Sequence, residues 1–489
     1  MKKYTFWFVV GTQHLYGHKI FKIIEKRADE MAEFLSLKFK GFATIEFKSL
    51  VKTSDEIYQV AKEANHNDDV VGMITWMHTF SPSKMWIHGL NVLQKPMLQL
   101  HTQFNKEIPW DDIDMDFMNL NQSAHGDREH GFIYTRMRKY RSVVSGYYQN
   151  EDVIADIERW LRASIGVFES QQLNVVRFGD NMRNVAVTEG NKVSAEIDFG
   201  WSVNGWGMGD LVKFVNDVSQ NEIREQLDKY KKKYQMDTTN NDSIKYQAKV
   251  QVALRKFLKQ QQSCAFTTTF ENLTGLEQLP GLAVQDLMDE GFGFGAEGDW
   301  KTAAMQRIIY LMSIGTSQSC SFMEDYTYHL PDNNETVLGA HMLEVSPRIA
   351  STKPQIQVHP LGIGGKDAPA RVVFDAKAGS AVQVSLIDLG DRFRLIAADC
   401  NAVEPLEKMP KLPVAQAMWT LEPNFKVGTE AWLIAGGAHH TVMTYDIDAK
   451  VLELFANMLD IEFVHITNDT TIQRLRNELR WNETGYKLK

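Results

Sequence analysis

The chain has 489 residues, 44% hydrophobic and 24% charged, a soluble globular composition too long for one simple core; at ~100–200 residues per domain it predicts several domains. Lys and Arg number 53 against 62 Asp and Glu, a net charge of −9, and no region gathers enough basic residues to track a phosphate backbone, so nucleic acid is excluded as a first partner. Three widely spaced cysteines, Cys264, Cys320 and Cys400, argue against a disulfide framework and a Cys-rich zinc site, and fit a reducing cytosol.

Lys2 and Lys3 precede an apolar run over 4–10, but the run is brief and Gly11-Thr12-Gln13-His14 stands where a leader would place small residues for cleavage. No apolar stretch approaches the ~20 residues that span a bilayer. The chain reads as cytoplasmic, unanchored and complete.

In chain order, residues 6–10 predict a strand, and Ile20, Ile24, Ala28, Met31 and Phe34 or Leu35 share one helical face. Thr53 and Glu56 predict a capping box for the next helix, and residues 70–76 and 96–100 two more strands. These strands are apolar on both faces, as in a covered parallel sheet, which makes the first third an α/β layer. Polar and aromatic residues follow each strand: Gly11 to Gly17, His78-Thr79-Phe80-Ser81-Pro82 and His101-Thr102-Gln103-Phe104-Asn105, with Asn121-Gln122-Ser123-Ala124-His125-Gly126 shortly after. Ligands of open α/β sheets bind beyond the carboxyl ends of the strands, so four such loops predict one rim of a site for a small polar molecule.

A helix over about 151–170 leads to a strand at 173–178 and the loop Gly179-Asp180-Asn181-Met182, the start of a second α/β unit. That unit carries helical patterns over 221–234 and up to about 262, then a strand at 264–268. Beyond about 318, strands at 371–375, 381–387 and 393–397 come in succession, punctuated by Gly379 and Gly390-Asp391. A mainly antiparallel third domain follows, with a helix over 449–458 and a helical tail. The predicted domains are 1–172, 173–317 and 318–489.

Residues 291–300, Gly-Phe-Gly-Phe-Gly-Ala-Glu-Gly-Asp-Trp, contain a literal GxGxxG. A helix pattern over 282–290 precedes it where a dinucleotide fingerprint needs a strand, and Glu297 stands where a pyrophosphate would approach. The glycines instead predict a tight entry loop to a helix starting near Trp300. Glu297, Glu324, His341 and His440 each lie in or beside apolar or glycine-rich segments where a lone charge is expensive to bury. Two carboxylates and two imidazoles without a thiolate suit Mn²⁺ and related octahedral ions. Taken singly, each is as well read as a hydrogen-bonded core residue.

At these residues the chain resembles the L-arabinose isomerase family. The resemblance is carried by residues 7–17, 78–82, 121–126, 177–183, 295–304, 321–329, 339–345, 436–441 and 480–483, and so covers essentially the whole chain. It implies a fucose/arabinose isomerase-like fold: two Rossmann-like α/β domains, then a β-rich, mainly antiparallel, barrel-like domain. It implies metal ligands at Glu297, Glu324, His341 and His440, with Mn²⁺ as the usual ion and Co²⁺ or Mg²⁺ as substitutes. The implied substrate residues are Gln13, Leu15, Tyr16, Phe80, Gln122, His125, Met182, Phe270 and Ile363. A trimer or hexamer is implied, in which amino-terminal loops complete a neighbour's site. Thr12, where a serine is frequent, and Asp127 and His130 depart from the pattern beside residues that would set substrate preference.

Moving a proton between C2 and C1 of an aldose, and another between its oxygens, requires two acid–base groups and stabilisation of the enediol charge. The implied catalytic pair is Glu297 and Glu324, with Asp299, Glu344 and His439 orienting the ligands. The expected reaction is L-arabinose to L-ribulose, with D-galactose to D-tagatose as a second substrate pair. Competing readings are a fucose-type isomerase, a sugar-binding module and, from Gly293 to Gly298 alone, an NAD-dependent oxidoreductase.

Overall fold

Strands buried on both faces read as unbroken apolar runs, and the computed structural model, which describes residues 3–362 and 365–488, builds its first sheet from five strands, the inner ones buried almost throughout and the two edge ones only in part. They are β1 (Tyr4–Gly11), β2 (Ala43–Val51), β3 (Val70–Trp76), β4 (Met97–His101) and β5 (Ser142–Ser145), all parallel in the order β2-β1-β3-β4-β5. They belong to the first of two compact units, Met1–Phe168 and Glu169–Lys489.

The helix Gly17–Lys38 buries Phe21, Ile24, Ala28, Met31, Ala32 and Leu35. Its apolar stripe follows the expected face except at its start, where Phe21 takes the place given to Ile20, and Leu35 rather than Phe34 ends it. Thr53 caps the helix Ser54–His66 by accepting from Glu56 N, but Glu56 Oε2 accepts from Lys52 N, one residue before the position a capping box uses. The helix Glu151–Ser170 lays the fully buried Trp160 against Phe6, ring centroids 5.4 Å apart. Gly72 makes room for it, since a Cβ there would stand 3.0 Å from the indole.

The second unit opens with β6 (Asn174–Phe178) and β7 (Ser202–Trp206), a short β8 (Gln235–Met236), then β9 (Ala265–Thr268) and β10 (Gly293–Ala296). Four of these form a parallel sheet, β10-β9-β6-β7. The glycine run is thus not only an entry loop: Gly293–Ala296 is itself a strand. Its glycines serve close packing, because a Cβ on Gly293 would lie 2.1 Å from Ala303 O and one on Gly295 2.4 Å from Asp299 O. The helix Trp300–Met312 can therefore lie directly on the strand, and it is buried along nearly its whole length.

Ten-residue β11 (Cys320–His329) and β12 (Thr336–Ala340) begin the β-rich part, followed by β13 (Gln355–Val358), β14 (Ala370–Val373), β15 (Gly379–Asp388), β16 (Phe393–Val403), β17 (Gln416–Leu421), β18 (His440–Thr444) and β19 (Glu462–Ile466). The antiparallel pairings β15-β18-β11-β12-β17-β16 return to β15 and close a barrel, with β19 added parallel to β16. The run expected as a strand at 371–375 is β14, which leaves the barrel and pairs with β13 in a separate small sheet. The helix Trp300–Met312 packs on β9 and β10 from one side and on β11, β15 and β18 from the other. This shared helix joins parallel sheet to barrel, and the site lies at its amino terminus.

Candidate active site

Glu297 follows β10 directly, with φ +60°, a left-handed conformation rare for a residue with a side chain. Gly298 continues the turn at φ +80°, and Asp299 caps the helix, accepting from Thr302 N at 3.2 Å and from Thr302 Oγ1 at 2.7 Å. The strain is held from outside: Met182 N donates to Glu297 O at 2.9 Å, and Asn181 Nδ2 to Gly298 O at 3.1 Å.

Of the other three candidate ligands, Glu324 and His440 lie on neighbouring barrel strands and His341 just past the end of a third. Glu324 on β11 pairs directly with His440 on β18 and with Ala340 on β12, the residue before His341. Residues opposite each other across an antiparallel pair share a face, so sheet register brings Glu324 and His440 together from distant parts of the sequence, and His341 reaches them where the chain leaves β12. His440 Nε2 lies 3.8 Å from Glu297 Oε2, and His341 Nε2 lies 3.9 Å from Glu324 Oε2. The two imidazole rings stand 5.8 Å apart, each 5.0 Å from the ring of Phe322.

Each imidazole is turned by a carboxylate behind it. His440 Nδ1 donates to Asp299 Oδ2 at 3.2 Å, and His341 Nδ1 to Glu344 Oε2 at 2.6 Å. The Nε2 atoms are left to face Glu297 and Glu324, and His440 Nε2 is buried without a hydrogen-bond partner among the described residues. Other ring nitrogens, His78 Nδ1 and His130 Nε2 among them, are also buried without a partner; what singles out His440 is that its free nitrogen faces Glu297 from a ring held by Asp299, and carboxylate-oriented imidazoles are the usual support of a metal site. His439, expected only to orient a ligand, stands as near to Glu297 as His440 does, 3.8 Å from Oε2, and Glu297, His439 and His440 offer donor atoms that could hold one ion.

The electrostatics match a cationic occupant. Burial pushes Asp299 up, but Lys301 and His440 hold it well below the usual carboxylate range. Burial likewise opposes ionisation of Glu297, yet the His439, His440 and His341 imidazoles draw it down. Burial lowers His440 and outweighs the pull of Asp299, which keeps its Nε2 lone pair available. For His341 burial is overcome by Glu344, Glu324 and Glu297, and its value is raised.

Phe270 joins this hollow, walling with Leu343, Glu297, His341 and Glu344 a cavity of about 20 Å³. Met182 is half-buried and tied to Glu297 through its backbone. Ile363 lies outside the described residues. In the first unit, Tyr16 Oη donates to Gln122 Oε1 at 3.2 Å, His125 Nε2 stands 3.0 Å from the same oxygen, and His125 stacks on Phe80 at 5.4 Å. Gln13 sits at the start of the same loop as Tyr16, and Leu15 is 81% exposed.

Two residues escaped the sequence reading. Phe322 floors both imidazoles; its place two positions before Glu324 on a strand, hence on the same face, was the available signal. Lys301 is fully buried, 3.4 Å from Asp299 Oδ1, and donates to Thr188 O and Glu189 O. A lysine beside an aspartate at the head of an otherwise apolar helix marked it.

A parallel α/β sheet joined to a closed antiparallel barrel, with carboxylates and carboxylate-held imidazoles at the junction, defines a class: enzymes built around an oxygen- and nitrogen-ligated metal site. Sequence models of the L-arabinose isomerase N-terminal, central and C-terminal domains match residues 1–172, 174–315 and 319–462. Proteins named L-arabinose isomerase from Mannheimia succiniciproducens, Anoxybacillus flavithermus and Thermotoga petrophila are 52%, 53% and 52% identical, each aligned over 100% of this chain and 99% of its own length. The chain belongs to the L-arabinose isomerase family, and it is an isomerase.

Proposed function

We propose that this chain converts L-arabinose to L-ribulose, and D-galactose to D-tagatose as a second substrate pair, with Glu297 and Glu324 as the proton-moving groups. Membership of the L-arabinose isomerase family supports the first reaction. The observation that carries the site is the buried, unpartnered Nε2 of His440, aimed at Glu297 by Asp299.

Glu297, Glu324, His341 and His440 would hold a divalent ion, Mn²⁺ first with Co²⁺ and Mg²⁺ as substitutes, supplying Lewis-acid stabilisation of charge on the sugar oxygens. One carboxylate of the Glu297 and Glu324 pair removes the C2 proton and returns it to C1, while the other serves the proton that moves between O1 and O2. Asp299 and Glu344 fix the tautomers of His440 and His341. Phe270 and Met182 wall the sugar in the second unit; Gln13, Tyr16, Phe80, Gln122 and His125 form the polar and aromatic set that handles its hydroxyls, with Leu15 an apolar contact beside them. Ile363 is a further apolar contact to the sugar. The working form is a cytoplasmic trimer or hexamer in which the amino-terminal loops serve a neighbouring copy, and the chain divides at 172 and 317. No helix among the described residues is long and apolar enough to cross a membrane.

The test is ketose formation from L-arabinose, D-galactose and L-fucose by chelator-stripped protein, with and without Mn²⁺, and by Glu297→Gln. Ketose that requires the ion, favours L-arabinose and falls at least ~100-fold in the variant is the expected result. Turnover without any ion, or an active Glu297→Gln, would overturn it. Light scattering of the purified protein reads the trimer or hexamer directly.

A further inference from the structure

The loop that begins at His101 is one of the four rim loops, yet none of its residues is among the assigned sugar contacts. His101 closes β4, and its Nδ1 donates to Asp127 Oδ2 at 2.8 Å. The imidazole is 39% exposed while the carboxylate is 3% exposed. Asp127 is itself supported: Gln99 Nε2 donates to its Oδ1 at 3.2 Å and to its backbone oxygen at 2.8 Å, and Arg141 Nε donates to Gln99 Oε1 at 3.0 Å. A buried carboxylate is an expensive anchor for a surface histidine that does nothing. This relay of three buried or half-buried groups ends at a ring whose Nε2 makes no hydrogen bond within the described residues.

The pair adjoins the polar set already described. Asp127 lies on the helix Ser123–Met137, which also carries His125 and has Gln122 at its N-cap; two residues apart, Asp127 turns inward to His101 while His125 is exposed, so what brings the pair near the polar set is the shared helix and the sheet. β3 and β4 are adjacent, so the Phe80 loop and the His101 loop leave the sheet side by side. Trp76 Nε1 donates to Thr102 O at 3.0 Å, and Arg27 bridges His78, 3.0 Å from its Nε2, to the face of Phe104. The loop is therefore pinned, and His101 is presented from a fixed frame. The hydrogen bond to Asp127 also raises the imidazole above its ordinary range, against the effect of burial.

We propose that His101 is a further contact to a sugar hydroxyl, through Nε2, and that Asp127 is the residue that positions it. This rests on the reading that Tyr16, Phe80, Gln122 and His125 handle the aldose. With Nδ1–H engaged by Asp127, Nε2 is the atom left for the sugar: it accepts a hydroxyl hydrogen from the neutral ring and donates to a hydroxyl oxygen from the protonated one, and a polyhydroxylated chain offers both.

Two substitutions separate a contact from a structural prop. Asn places its amide nitrogen near the position of Nδ1 and keeps the bond to Asp127, whereas Gln places a polar atom near the position of Nε2. His101→Asn should raise KM for L-arabinose about tenfold with kcat within about twofold, and His101→Gln should recover part of that loss. Asp127→Asn should raise KM less, and the double variant should be no worse than His101→Asn alone, because the two residues act as one unit. A silent His101→Asn, or additive effects in the double variant, would overturn the proposal. A His101→Asn that changes oligomer size by light scattering in parallel with KM would overturn it too, in favour of a subunit contact. Gln122→Ala and His125→Ala are measured alongside: if neither moves KM, the underlying reading fails, and if both do while His101→Asn does not, only the present proposal falls.

Discussion

The two polar clusters, one in each unit, begin from the same topological fact and end differently. The rim loops and Glu297 all follow parallel strands at their carboxyl ends, where backbone groups and loop side chains converge, but the other donors of the second cluster come from the antiparallel barrel. In the first unit Tyr16, Gln122 and His125 bond mainly to one another, and His125 and Leu15 are exposed. In the second, Asp299, His341 and His440 are buried, Glu297 is held in a left-handed conformation, and each imidazole has its own carboxylate. Recognition of hydroxyls tolerates water and adjustable side chains, whereas holding charge and moving protons needs a dry, preorganised set whose unpaired atoms are kept in place by surrounding structure. The buried cluster is accordingly welded into the core, and the rim is not.

That contrast can be broken at the core first. Gly295→Ala forces a Cβ to within 2.4 Å of Asp299 O, so the helix Trp300–Met312 must lift from β10; a loss of about 3 kcal/mol is expected, read as a lowered denaturation midpoint together with lost turnover. An unchanged midpoint would mean that the strand and helix do not press on each other as described. Next in size, Asp299→Asn leaves His440 without its anionic partner and should weaken Mn²⁺ binding by roughly 10–100-fold, measured by titrating stripped protein calorimetrically. Equal affinity in variant and parent would deny Asp299 its orienting role. The smallest effect belongs to the rim: His125→Ala should raise KM about fivefold, the size expected of one hydrogen bond, without moving the melting temperature. A large drop in melting temperature there would erase the contrast between the two clusters.

Much of the fold was legible because burial leaves periodic marks. The runs of β1 and β3, the helix Glu151–Ser170 and the helix Ala449–Met458 all fall where their apolar spacing puts them. β10 was not legible, since alternate glycines give a strand no apolar period to read, and their purpose depends on a helix that has yet to be placed. The face of the helix Gly17–Lys38 followed the expected spacing at Ile24, Ala28, Met31 and Leu35, and differs only at its start, where Phe21 is buried in place of Ile20 because both neighbours are apolar and only packing chooses between them. In the site, Glu297 announced itself as a carboxylate among glycines. The nearness of His439 to Glu297 did not show, because either imidazole of a His-His pair can face inward until the register of β18 is known.

Residue types and local spacing by themselves determined the α/β character of the first part, the β-rich character of the last, and a donor set of oxygen and nitrogen without sulfur. Tertiary structure decided which of those donors meet. Glu324, His341 and His440 come together only because β11 pairs with β12 on one side and β18 on the other, and Glu297 reaches them because one helix is shared by sheet and barrel. Local sequence encodes which face of an element is apolar; the pairing of distant strands is settled by the free energy of burying all those faces at once, and no short segment carries that information.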